Sequence, residues 1–151
     1  MDTEKSFEGK TIILGVPKLF NLDVMIETEL KAVGFKTINI SVHNNTFKYK
    51  NIVERTKSFL GKQFLRQQNF KQLLNFKEAK SRIMAELEHV EQVDYILIIR
   101  PEVYPIEFLK YLKEKGKKMI GYQWNGLKRF PHTLDYIHLF DKFYVFDSER
   151  S

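Results

Sequence analysis

The sequence predicts an α/β fold in three layers, a parallel sheet with helices on both faces. Three observations predict it. Five short β-like runs alternate with helical stretches along the chain. The run Asp94–Arg100 carries Tyr95, Ile96, Leu97, Ile98 and Ile99 without polar alternation, as a central strand buried on both faces does. A length of 151 residues with 43% hydrophobic and 29% charged content matches one ordinary domain with a sizeable core. The right-handed crossover rule then leaves few topologies. A Rossmann-like five-stranded sheet of order 3-2-1-4-5 is expected, with the flavodoxin-like order 2-1-3-4-5 as the alternative.

Each element has its own signal. Residues 1–9 read as a polar tail, with the single domain running over 10–151. The first strand, Lys10–Val16, is apolar and lies between Gly9 and Pro17. From about Asn21 to Val33, the residues Leu22, Met25, Ile26, Leu30 and Val33 form a helical stripe. Asn21 or Asp23 is placed to cap its start, and Gly34 to end it. In the second strand, Phe35–Val42, Ile38, Ile40 and Val42 alternate with Thr37, Asn39 and Ser41. A long helical stretch from about Thr46 to Glu91 breaks near Gln67–Asn69, and its second half aligns Phe76, Ala79, Ile83, Leu87 and Val90. After the third strand, Pro105–Lys115 reads as a helix closed by Gly116. Lys118–Trp124, Thr133–Phe140 and Lys142–Asp147 read as strand, short helix and strand.

Composition narrows the function. The chain has no cysteine, so disulfides, zinc–thiolate sites and cysteine nucleophiles are excluded, which fits a reducing, cytoplasmic setting. Met1 to Lys10 is polar and charged without an apolar h-region and does not read as a secretory signal, and no apolar run approaches the roughly 20 residues that span a bilayer. The net charge of +6 is uneven: residues 47–82 hold ten bases against two acids, Glu54 and Glu78. Such a stretch is ordinarily a solvated helix face, and otherwise suits an anionic partner such as a membrane surface or phosphorylated ligand. Nucleic acid ranks below these, because Phe59, Phe64, Phe70 and Phe76 are spaced as core residues and not as a stacking platform.

In open α/β sheets ligands bind beyond the carboxyl ends of the strands, where the strand order reverses. With order 3-2-1-4-5 that point lies between strands 1 and 4. The candidate ligand-binding residues there are Lys18, Phe20 and Asn21 after strand 1, and Trp124 and Asn125 after strand 4. Arg100 and Glu102 after strand 3, and Asp147 after strand 5, complete the set. Trp124, the single tryptophan, offers a flat apolar platform for a sugar or base. Glu102 is a candidate acceptor of ligand hydroxyls or a base, and competes with a helix-capping role. One glycine, Gly15, stands where a dinucleotide loop needs three, and no P-loop is present, so no nucleotide cofactor is expected. His43, His89, His132 and His138 lack metal-ligand spacing, and no metal site is expected. His132 alone lies in a strand-end loop. No nucleophile elbow or complete catalytic set occurs.

Several segments together carry a resemblance. They are Ile12-Ile13-Leu14-Gly15, Glu29-Leu30 through Gly34-Phe35, the Asp94–Arg100 strand, Glu107-Phe108-Leu109, Tyr122-Gln123-Trp124-Asn125-Gly126 and the run Phe140–Asp147. With them the chain resembles the amino-terminal domain of bacterial GT-B-like glycosyltransferases of lipopolysaccharide and capsular polysaccharide biosynthesis, the spore-maturation-type group. The resemblance covers roughly residues 10–150. It departs at Asn125-Gly126, where the family has Asp-Ser after the tryptophan, and at Arg100-Pro101-Glu102, where the family has Lys-Gly-Glu. It implies the acceptor-side half of a two-domain transferase, inactive without the donor-binding half. It also implies an anionic glycolipid or polysaccharide precursor as partner. The 47–82 segment would then lie at the inner membrane face, and a second domain or a second copy would complete the assembly. The other reading of the same residues is a non-catalytic module that binds a nucleotide, sugar or protein.

Overall fold

A computed structural model describes residues 7–43, 70–124 and 134–146. The expected helix before residue 70, most of the basic segment, and the site candidates Asn125 and Asp147 lie outside those residues, as does His132. The strands are β1 (Thr11–Gly15), β2 (Lys36–Asn39), β3 (Val93–Ile99), β4 (Gly116–Gln123) and β5 (Lys142–Val145). The helices are α1 (Leu22–Ala32), α2 (Phe70–Leu87) and α3 (Ile106–Lys115), with short 3-10 turns at Pro101–Val103 and Ile137–Leu139.

All four strand pairings are parallel, and the order is 2-1-3-4-5. The expected order 3-2-1-4-5 is therefore corrected to its alternative. The physical reason lies in the strands' own side chains. β3 is apolar on both faces and takes an interior place, pairing with β1 through Ile12–Tyr95 to Gly15–Ile98 and with β4 through Val93–Gly116 to Ile99–Tyr122. β2 alternates apolar and polar residues and takes an edge. Its polar side is satisfied by α1: Thr37 Oγ1 donates to Glu27 at 2.7 Å, and Asn39 Nδ2 donates to Glu27 at 3.0 Å.

Two cores flank the sheet. On one face α2 and α3 bury Phe76, Ile83, Leu87, Leu109 and Leu112 against Ile13, Ile96, Ile98 and Met119. On the other, α1 lays Leu22, Ile26 and Leu30 over Leu14, Val16 and Ile99. Gly116 ends α3 and begins β4 in extended backbone, so helix passes into strand without a loop. Phe7, from the stretch read as a tail, stacks on Phe35 at 4.6 Å and meets the edge of Tyr95.

The foot of the sheet is tied by one carboxylate. Asp94 accepts the backbone N–H of Thr11 at 3.0 Å and the Lys117 ammonium at 3.2 Å. The Thr11 N–H, followed by Lys117, holds the Asp94 carboxyl below its ordinary value. A carboxyl depressed in this way stabilises the fold above its unfolded value and loses that contribution as the pH falls through its folded value. The acid limb of a pH-dependent unfolding curve is therefore expected to be shallower for Asp94→Asn than for the parent chain. Curves of equal slope would remove Asp94 from the acid response.

Candidate functional site

With order 2-1-3-4-5 the reversal falls between β1 and β3, not between strands 1 and 4. The loop after Gly15 and the turn after Ile99 are thus the walls of the crevice. The side of it facing α2 and α3 is filled by Tyr104, which is fully buried. Its hydroxyl donates to the Ile40 carbonyl at 2.9 Å, so the ring reaches from the end of β3 across β1 to the continuation of β2. Burial pushes the phenol's pKa well above its ordinary value. Gly15 makes the crossing possible: a Cβ there would stand 2.7 Å from the Tyr104 hydroxyl and 2.8 Å from Ile98 Cδ1.

The turn after β3 gathers three of the sequence candidates. Arg100 sits in the left-handed region at φ 59° and donates its N–H to the Tyr122 carbonyl at 2.8 Å. Its Nε donates to Glu102 Oε1 at 2.7 Å, and the two side chains are 8% and 1% exposed. The guanidinium carbon lies 5.9 Å from the ring centroid of half-buried Trp124, within cation–π range. Register places Gln123 next to Arg100. The Gln123 side chain is fully buried, and neither its amide oxygen nor its amide nitrogen has a hydrogen-bond partner among the described residues. Trp124 and Gln123, adjacent in the strand direction, face opposite sides of the sheet, so the surface offered at this rim is the half-buried, cation-backed Trp124 ring, suited to stacking on a sugar ring.

The loop after β1 divides its candidates. Phe20 and Asn21 both adopt left-handed backbone, φ 49° and 59°, at the start of α1. Phe20 is 97% exposed. Asn21 occupies the N-cap position but makes no side-chain cap bond, and Asp23 is buried within the helix's first turn. Lys18 goes elsewhere. Its N–H donates to the Val42 carbonyl at 2.9 Å, and Pro17 bridges to Val42, so Lys18 is pinned toward the β2 edge and away from Arg100.

There Lys18 lines a cleft of about 480 Å³ with Glu27, Asn39, Arg82 and Glu86, and an adjoining hollow of about 280 Å³ with Ser41, His43 and Asn75. Arg82 forms the partition. It donates to the carbonyls of Ser41 at 2.8 Å and Asn39 at 3.4 Å, and to Glu86 at 3.3 Å. Glu27 is desolvated, which raises its pKa, yet bonds from Thr37, Asn39 and Lys31 leave it below the ordinary value. Sequence reasoning missed Tyr104, Gln123, Arg82 and Glu27. Gly15 beside an aromatic-bearing turn was the available signal for Tyr104, whereas Gln123 looked like one polar residue in a strand. Among the described residues no cluster of three or more histidine, aspartate or glutamate side chains could hold a metal ion. Comparison with family models, with curated proteins and with solved structures finds no match to this chain.

Proposed function

We propose that this chain is the acceptor-side domain of a GT-B-like glycosyltransferase of bacterial surface polysaccharide or lipopolysaccharide biosynthesis. The observation that carries the reading is half-buried Trp124 at the carboxyl end of a parallel sheet, with the guanidinium of the Arg100–Glu102 pair 5.9 Å from its ring. The buried ion pair fixes the ring from behind, and the aromatic face it backs is a platform on which a sugar ring stacks. The second domain would supply the donor site, and this half alone would show no turnover. The excess of bases in residues 47–82 supports an anionic precursor at the inner membrane face. No helix among the described residues is long and apolar enough to cross a membrane.

Trp124 is the single tryptophan, so its emission reports the site directly. Titration with a phosphorylated lipopolysaccharide core oligosaccharide is expected to shift that emission saturably, and a neutral glucan of equal length is not. Trp emission unchanged by the phosphorylated oligosaccharide would overturn the reading. Tyr104 filling part of the crevice favours a second reading, a non-catalytic module with a shallow ligand surface. On that reading a nucleotide or nucleotide sugar is expected to shift the emission in place of the acceptor.

A further inference from the structure

The basic stretch 47–82 ends on α2, at a place the strand-end crevice does not use. Asn75, Glu78, Ala79 and Arg82 recur at helical spacing, so α2 carries them on one stripe. That stripe runs beside the core residues Phe76 and Ile83 and meets the chain just past β2, where Arg82 bonds the Ser41 carbonyl. Ala79 is its small residue, and it lines the hollow of about 280 Å³. Ser41 and His43 supply a second wall, and Lys18, held at Val42 by its backbone N–H, supplies a third.

The hollow gathers donors that have nothing to bond. Arg82 gives N–H groups to Ser41, Asn39 and Glu86, and its guanidinium has others left. It cannot swing away without releasing two carbonyls at the β2 edge, so the cation is held in place before any ligand arrives. The Lys18 ammonium, the Asn75 amide and the His43 ring make no hydrogen bond or ion pair among the described residues. Glu78 is the one carboxylate among the described residues that line the hollow, and it has a partner of its own.

Unspent donors of this kind suit an anion with several acceptor oxygens. A phosphate monoester offers three, and carries more charge than a carboxylate. Beyond Arg82 the wider cleft of about 480 Å³ is lined by Glu27, Thr37, Asn39 and Glu86, side chains that bond hydroxyl groups. We propose that these adjoining hollows bind the phosphate monoester of a small hydroxylated molecule. Lys18, Asn75 and Arg82 hold the phosphate, and the hydroxyls turn into the wider cleft. The site is separate from Trp124, so it stands or falls independently of the saccharide reading.

Calorimetric titration of the whole chain with glycerol phosphate is expected to show saturable binding, and titration with glycerol none. Lys18→Met is expected to weaken that binding at least about tenfold. Asn75→Asp keeps the shape, replaces donors by a negative charge, and is expected to abolish it. Both side chains lie outside the two cores, so both variants are expected to unfold with the parent when no ligand is present. Cosedimentation with phosphatidylcholine vesicles, with and without phosphatidic acid, separates a free ligand from a lipid headgroup. Binding to phosphatidic acid alone that Asn75→Asp removes assigns the phosphate to a lipid and supports the site. Glycerol phosphate and phosphatidic acid both unbound overturn the proposal. Binding that neither substitution weakens lies elsewhere on the chain and overturns it equally.

Discussion

Replacing Glu102 by alanine is expected to destabilise the domain by about 3–5 kcal/mol, the largest effect of any single polar substitution here. Glu102 is 1% exposed and accepts the Arg100 Nε at 2.7 Å, so its removal leaves a guanidinium in a dry site without that carboxylate. The loss comes less from attraction forgone than from a charge that can no longer be solvated. The double variant Arg100→Met/Glu102→Leu is accordingly expected to recover most of the loss, since it removes both charges and keeps the volume. Urea unfolding of the parent, the single and the double variant checks this. A single variant within about 0.5 kcal/mol of the parent would show the pair to be hydrated and the site open to water.

Gly15→Ala is expected to cost about 2–4 kcal/mol. The added methyl would sit 2.7 Å from the Tyr104 hydroxyl and 2.8 Å from Ile98 Cδ1, well inside contact distance. Tyr104 must then retreat and release the Ile40 carbonyl, leaving a buried acceptor unpaired. Tyr104→Phe alone is expected to cost about 1–2 kcal/mol for the same carbonyl. The two substitutions share one contact, so their combination is expected to cost less than the sum. Thermal unfolding of the three variants measures the coupling. Strict additivity would mean that Tyr104 does not lie over Gly15 in solution.

Much of the fold was legible because the alternation of elements is written in local patterns. The continuous apolar run at Tyr95–Ile99 reports burial directly, and of the helical stripe Leu22, Met25, Ile26, Leu30 and Val33 three residues pack on the sheet while Met25 and Val33 are exposed. Strand order was harder, since 3-2-1-4-5 and 2-1-3-4-5 both obey right-handed crossovers. The deciding signal was in the sequence nonetheless. A strand that alternates Ile38, Ile40 and Val42 with Thr37, Asn39 and Ser41 has one polar side, and suits an edge better than an interior place.

That single misplacement moved the crevice. Arg100, Glu102 and Trp124 were found together because each follows a strand end, and all strand ends of a parallel sheet share one rim. Lys18 was assigned to the same rim but belongs to the β2 edge. Its position is fixed by a backbone bond to Val42, which side-chain pattern does not encode. Tyr104 escaped notice because its role depends on what Gly15 lacks, and Gln123 because its isolation appears only once its surroundings are folded.

The pairing of β1 has a kinetic consequence. Thr11 begins a strand whose one neighbour starts at Lys36 and whose other is anchored by Asp94, 83 residues further along. During synthesis β1 can therefore complete one edge early, while the other stays open until more than half the chain has emerged. Topologies with such separations fold slowly, since the loop must close before the contact repays it. An unpaired Ile12-Ile13-Leu14 edge during that interval is the segment on which a nascent chain would first self-associate, and the one a chaperone would be expected to hold.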